Sequence, residues 1–122
     1  MIRFRQKKDP QDLMKDAIKY LDKQGSSYTK IKESEANKVS KTNSKTLVLR
    51  SFKETELGYY QIQIQDKELY RYNQKLLKEF LGMRITDVDK DNRIITAETD
   101  HLGVALDIID FLSIKYNLSV VV

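Results

Sequence analysis

The hydrophobic period of residues 58–122 constrains the fold more than any other feature of the chain. Apolar residues recur first at every second position, then at every third or fourth, and this exchange takes place twice. A period of two is typical of a half-buried strand, and a period near 3.6 is typical of an amphipathic helix. The order is therefore strand, helix, strand, strand, helix, strand, which predicts an α+β sheet covered by helices.

This order predicts a ferredoxin-like βαββαβ core, an antiparallel sheet with helices on one face. The predicted strands cover residues 60–64, 83–88, 93–97 and 118–122, and the predicted helices cover 66–82 and 99–116. An extra strand over residues 46–52 precedes this core and forms a hairpin with its first strand. We expect the last strand to lie inside the sheet, because its valines are β-branched and apolar.

The residues before this core carry an amphipathic helix. Asp9 and Pro10 have the chemistry of a helix start, and Gly25 has that of a helix end. The apolar face between them consists of Leu13, Met14, Ala17, Ile18 and Leu21. Residues 28–32 are predicted to form a weak strand, and residues 35–45 a mobile loop.

A chain of 122 residues is typical of one domain. We divide it into a basic N-terminal region over residues 1–45, containing the arm, the helix and the lysine-rich loop, and an α+β core over residues 46–122. The first five residues alternate apolar and basic side chains, so they form either a short strand or a basic arm. Both arrangements leave the arginines exposed.

Positive charge is concentrated in the first half of the chain. Residues 1–53 contain 14 Lys and Arg against 6 Asp and Glu, whereas residues 54–122 contain 8 against 12. The formal net charge of +4 is therefore +8 followed by −4. Such an asymmetry favours an anionic partner for the first half, which would be either nucleic acid or an acidic protein surface.

The candidate phosphate-binding residues form three groups, in the arm, on the first helix and in the lysine-rich loop. They are Arg3, Arg5, Lys7 and Lys8, then Lys15 and Lys19, then Lys30, Lys32, Lys38, Lys41 and Lys45. Lysine and arginine bind phosphates without reading base sequence, and such binding weakens with salt. The sequence predicts a small non-enzymatic accessory protein that contacts nucleic-acid phosphate. The alternative is a protein-binding adaptor, inhibitor or immunity-type protein without nucleic-acid binding.

Residues 87–98 have the carboxylate spacing of a calcium-binding EF-hand loop. Asp87, Asp89, Asp91 and Glu98 occupy its positions 1, 3, 5 and 12. Position 6, where that loop needs glycine for a sharp turn, is Asn92. We therefore favour a β-hairpin with a solvated acidic turn, and calcium binding is the minor alternative.

No group of residues supports catalysis. The single histidine, His101, has no nucleophile in a recognisable motif, and cysteine is absent. We predict no enzymatic activity, no cofactor and no favoured metal. The lack of cysteine and of long apolar runs predicts a soluble cytoplasmic protein that does not bind membranes. The abundance of Lys, Asn, Ile and Tyr is typical of a bacterial or phage-like composition.

The third predicted helix, over residues 99–116, is apolar around most of its circumference. Such a helix either occupies the centre of the core or is covered by a second copy of the protein. We therefore consider a homodimer formed through the face that carries Val104 and Phe111.

Overall fold

The computed structural model describes residues 9–38, 46–66, 80 and 82–122, which form an α+β fold around one mixed, open sheet. The strands are β1 (Gln11–Asp12), β2 (Thr29–Ile31), β3 (Thr46–Glu54), β4 (Tyr60–Asp66), β5 (Arg84–Asp89), β6 (Ile94–Thr99) and β7 (Asn117–Val121). The α-helices are α1 (Met14–Gln24) and α2 (Leu102–Lys115), and a 3-10 helix covers Glu33–Glu35. The third predicted helix is thus α2, and the second predicted helix lies almost wholly outside the described residues.

The strand order is β2-β7-β3-β4-β6-β5, and β1 pairs with the far end of β3. Strand β7 is parallel to both β2 and β3, whereas the remaining pairs are antiparallel. The predicted hairpins β3–β4 and β5–β6 are confirmed, as is the weak strand at β2. The interior place of the last strand is also confirmed, since β7 has a neighbour on each side.

The sheet differs from the predicted ferredoxin-like core in the number of its strands and in their pairing. Strand β3 is an extra strand relative to that core, and it lies inside the sheet, between β4 and β7. The sheet is therefore mixed and not purely antiparallel. Burial explains the difference: Leu47, Val48 and Leu49 are at most 1% exposed, so β3 is apolar on both faces. A strand of this kind is stable in the interior of a sheet.

The first helix begins four residues later than the predicted position of Pro10. Residues 11 and 12 are extended instead, because they pair with Glu54 and Lys53 of β3. The Asp12 carboxylate then accepts a hydrogen bond of 2.9 Å from the Met14 N–H, which satisfies a free donor of the first turn. Asp12, one residue before the N-cap Leu13, therefore supplies the carboxylate acceptor that the sequence assigned to Asp9.

The rest of α1 agrees with its predicted amphipathic pattern. Met14, Ala17 and Leu21 are buried, and the helix ends at Gly25, whose φ of 72° is left-handed. Helix α1 packs against α2 and β3, and α2 packs against β4, β6 and β7. The two helices therefore share one apolar core with the sheet.

Two polar contacts join α1 and the following turn to α2. The Tyr20 hydroxyl donates to the Asp107 carboxylate at 2.5 Å, and the Ser26 hydroxyl donates to the Asp110 carboxylate. Because a phenolate would face these carboxylates, the hydrogen bond to Asp107 and their negative charge raise the pKa of Tyr20 to about 12. The contact fixes the neutral phenol at the junction of the two helices.

The segment after β2 is more ordered than its composition predicts. Residues 33–38 are helical, and Ala36 is 0% exposed, although a mobile loop was expected from residue 35. The Arg50 guanidinium forms an ion pair with Glu33 and donates to Asn37. These contacts hold the segment against β3. Residues 39–45, the remainder of the expected loop, lie outside the described part of the chain.

Candidate functional site

A depression of the described surface, which we call the edge cavity, opens between α1, β1, β3 and the end of β7. Its volume is about 940 Å³. Its apolar lining consists of Pro10, Met14, Ile18, Phe52, Val121 and Val122. Its charged lining consists of the cations Lys15, Lys19, Lys30, Arg50 and Lys53 and the anion Asp12. The uncharged polar residues Gln11 and Ser51 also line the cavity.

The cavity exists because two different strands use the same edge of β3. Strand β7 pairs with β3 as far as Leu49, whereas β1 pairs with it from Lys53 onward. In the described structure, no strand pairs with Arg50 or Ser51 on that edge, and the Phe52 carbonyl accepts a hydrogen bond of 2.7 Å from the Leu13 N–H. Beyond Val120, β7 pairs only with β2: Val121 lies opposite Ile31, and the Val122 N–H donates to the Ile31 carbonyl at 2.9 Å. The opening between β1 and β7 is the mouth of the cavity.

A β-bulge lies in β3 beside this opening. The register between β3 and β4 shifts between Leu49 and Ser51, so Arg50 is the additional residue. Arg50 donates to Gln65 at 2.8 Å, and the Ser51 hydroxyl donates to Gln63 at 3.0 Å. Bulges commonly re-aim side chains in this way.

The charges around the edge cavity are strongly unbalanced. Arg50 is neutralised by its ion pair with Glu33, and Asp12 is engaged with the α1 N-terminus. Over the described ranges, no ion pair joins Lys15, Lys19, Lys30 or Lys53 to a carboxylate. We call these four side chains the lysine rim. Four like charges around one concave surface concentrate anions there.

The structure brings together only some of the predicted phosphate-binding residues. Lys15 and Lys19 of α1 meet Lys30 of β2 at the cavity, although the sequence assigned Lys30 to a separate group. Lys32 and Lys38 are exposed but do not line it. The remaining candidates, Arg3, Arg5, Lys7, Lys8, Lys41 and Lys45, lie outside the described residues.

Sequence reasoning missed Arg50 and Lys53 as members of the site. Both interrupt the apolar pattern of the strand that begins at Thr46, which was the available signal. The pairing of β3 was needed to show that Arg50 lies where its edge has no strand partner and that Lys53 lies where the pairing with β1 begins. Their position could therefore be obtained only from the tertiary structure.

The acidic segment forms the β5–β6 hairpin, as the favoured interpretation predicted. Asp89 accepts hydrogen bonds from the backbone and side chain of Asn92, which lower the pKa of Asp89. Glu98 forms an ion pair of 2.9 Å with Arg84. No three acidic or histidine side chains are grouped as a metal site among the described residues, which include Asp87 and Asp91. Calcium binding stays a prediction for titration.

The two residues of the expected dimer face have different surroundings. Val104 is half-buried against the core, whereas Phe111 is 42% exposed. The Lys115 ammonium lies 5.8 Å from the centre of the Phe111 ring, and the neighbouring Ile114 is 73% exposed. The apolar surface of α2 is therefore centred on Phe111 and Ile114, and the homodimer stays a prediction.

In the described part of the chain, no helix is long and apolar enough to cross a membrane. No protein-family model, curated protein or solved structure matches the chain.

Proposed function

We propose that this protein is a small, non-enzymatic, cytoplasmic binding protein that holds nucleic-acid phosphates on the lysine rim. The convergence of Lys15, Lys19, Lys30 and Lys53 around one cavity, without carboxylate partners, carries this proposal. Three different elements supply these lysines, so the charge is concentrated by the fold and not by one basic stretch of sequence. Phosphate oxygens are the acceptors that such a group of ammonium donors would bind.

The number of rim lysines sets the expected salt dependence. Four neutralised phosphates give a slope of about −3 for log K against log salt on single strands, and about −3.6 on duplexes. Fluorescence anisotropy with labelled single-stranded DNA, duplex DNA and RNA at several salt concentrations measures this slope. Absence of binding to all three at low salt would refute the proposal.

Matched variants assign the binding to the rim. Lys19→Gln removes one rim charge and is expected to reduce the slope by about 0.7 on single strands. Lys90→Gln removes the same charge from the turn of the β5–β6 hairpin, at the opposite edge of the sheet, and should leave the slope unchanged. Equal effects of the two changes would show that binding follows net charge and not this site. Reversing Arg3, Arg5, Lys7 and Lys8 separately measures the contribution of the arm.

The second candidate function is that of a protein-binding adaptor, inhibitor or immunity-type protein. The exposure of Phe111 and Ile114 on α2 favours it, since contiguous exposed apolar side chains mark interaction surfaces. A complex of this type, including a homodimer, would persist at high salt. Sedimentation of the wild type and of Ile114→Asp at high salt tests the homodimer. If both proteins sediment as monomers, the homodimer is excluded.

A further inference from the structure

The wall of the edge cavity below the lysine rim is aliphatic. Met14 and Val121 are each 9% exposed, and the half-buried Ile18 lies one helical turn from Met14. On α1, Met14 precedes Lys15 and Ile18 precedes Lys19, so each apolar residue is followed by a cation at the mouth. The cavity thus has two distinct zones, a cationic mouth and an apolar interior.

Nucleic-acid phosphates would occupy the mouth but leave the apolar interior in contact with water. A base could fill the interior by stacking, but the only aromatic side chain of the described lining, Phe52, is 0% exposed. Aliphatic groups favour an aliphatic ligand, because burial of its methylenes removes apolar surface from water. The volume of about 940 Å³ lies near the upper end of the range of small-molecule sites.

We propose that the edge cavity binds an amphipathic organic anion, with an aliphatic body against Met14 and Ile18 and a carboxylate or phosphate head at Lys15, Lys19 and Lys30. This inference does not depend on the proposed nucleic-acid binding. The two ligands share the rim lysines, so the small anion competes with nucleic acid wherever both bind.

Titration calorimetry on the full chain separates the two zones with three simple probes. Octanoate has the anionic head and the aliphatic body, butyrate has the same head with four fewer methylenes, and octyltrimethylammonium has a body one methylene longer with the opposite charge. Partial burial is expected to tighten binding about two- to threefold per methylene, so octanoate should bind roughly 15- to 80-fold more tightly than butyrate. The cation should bind more weakly than octanoate by at least about tenfold.

Two matched pairs of variants place the ligand in the cavity. Ile18→Asn should weaken octanoate binding at least fivefold, whereas Ile114→Asn, the same change at an exposed site of α2, should not alter it. Lys30→Gln should weaken octanoate severalfold, and Lys90→Gln should not. Because Lys30 is exposed, its replacement tests the site even if Ile18→Asn unfolds the protein.

Octanoate binding no tighter than butyrate, or equal to octyltrimethylammonium, would overturn the proposal, as would equal losses in Lys30→Gln and Lys90→Gln. A complete lack of octanoate binding would also overturn it. These outcomes are independent of the oligonucleotide measurements, so failure of one proposal leaves the other to be judged on its own data.

Discussion

Gln65 offers a sharp test of how buried polar contacts join β4 to β3 and to the segments around Asn37 and Asn92. It is 2% exposed and makes three hydrogen bonds to three parts of the chain. Its amide nitrogen donates to the Asn37 side chain at 3.0 Å and to the Asn92 carbonyl at 2.9 Å. Its amide oxygen accepts from the Arg50 guanidinium at 2.8 Å.

The change Gln65→Met nearly preserves the side-chain volume and removes all three hydrogen bonds. Two neutral hydrogen bonds contribute about 1 kcal/mol each, and the bond to a charged guanidinium contributes about 1.5 to 3 kcal/mol. The exposed Asn37 and Asn92 can bind water instead, which recovers part of this sum. We therefore expect the free energy of unfolding to fall by about 2 to 3 kcal/mol.

Gln61→Met is the matched control, because Gln61 lies on the same face of β4 and makes one hydrogen bond of 3.3 Å, to Glu98. It should cost less than about 1 kcal/mol. Urea unfolding followed by circular dichroism measures both variants. With a slope of about 2 kcal/mol/M, Gln65→Met should lower the midpoint by about 1 to 1.5 M. If the two variants unfold within about 0.5 kcal/mol of each other, Gln65 does not join these segments as argued.

Two further predictions concern the packing around α2. Tyr20→Phe should reduce the loss of stability between about pH 10 and about pH 12. The raised pKa of Tyr20 stabilises the native state fully below the pKa of the unfolded chain, and this contribution disappears as the pH rises through the pKa of the folded protein. Ultraviolet titration of tyrosinate and urea midpoints across this range measure the effect, and equal pH profiles of stability in the two proteins would contradict it. Gly82→Ala should lower the free energy of unfolding in urea by about 1 to 2 kcal/mol more than Gly25→Ala does. Both glycines have a positive φ, but only the Cβ added at Gly82 would lie 3.1 Å from Val104 Cγ1. Equal losses in the two variants would show that Val104 moves aside.

Much of the secondary structure follows from local patterns in the sequence. The buried face of α1 and its end at Gly25 were predicted from spacing and glycine chemistry. The two hairpins were also predicted, because alternating apolar residues separated by turn residues have few other stable arrangements. These features depend on neighbours within a few residues, which the sequence displays directly.

The candidate site was only partly predictable. Lys15, Lys19 and Lys30 were named as anion-binding residues from charge alone, but the sequence did not show that they meet. Lys53 was missed because its position beside the cavity depends on the pairing of β3 with β1. A charge count reveals an excess of cations, whereas a site requires several of them to converge in space.

The sequence by itself determined the apolar face of α1, the two hairpins and the excess positive charge of the first half, since each depends on residue type and short-range spacing. Only the tertiary structure decided that β3 lies between β4 and β7 and that residues 11 and 12 pair with its end. Both features depend on long-range strand pairing. Several strand orders are compatible with the same local hydrophobic periods, and the observed order places the most apolar strand in the interior of the sheet. The edge cavity is a consequence of that selection, because it lies where β1 and β7 leave the middle of the β3 edge uncovered.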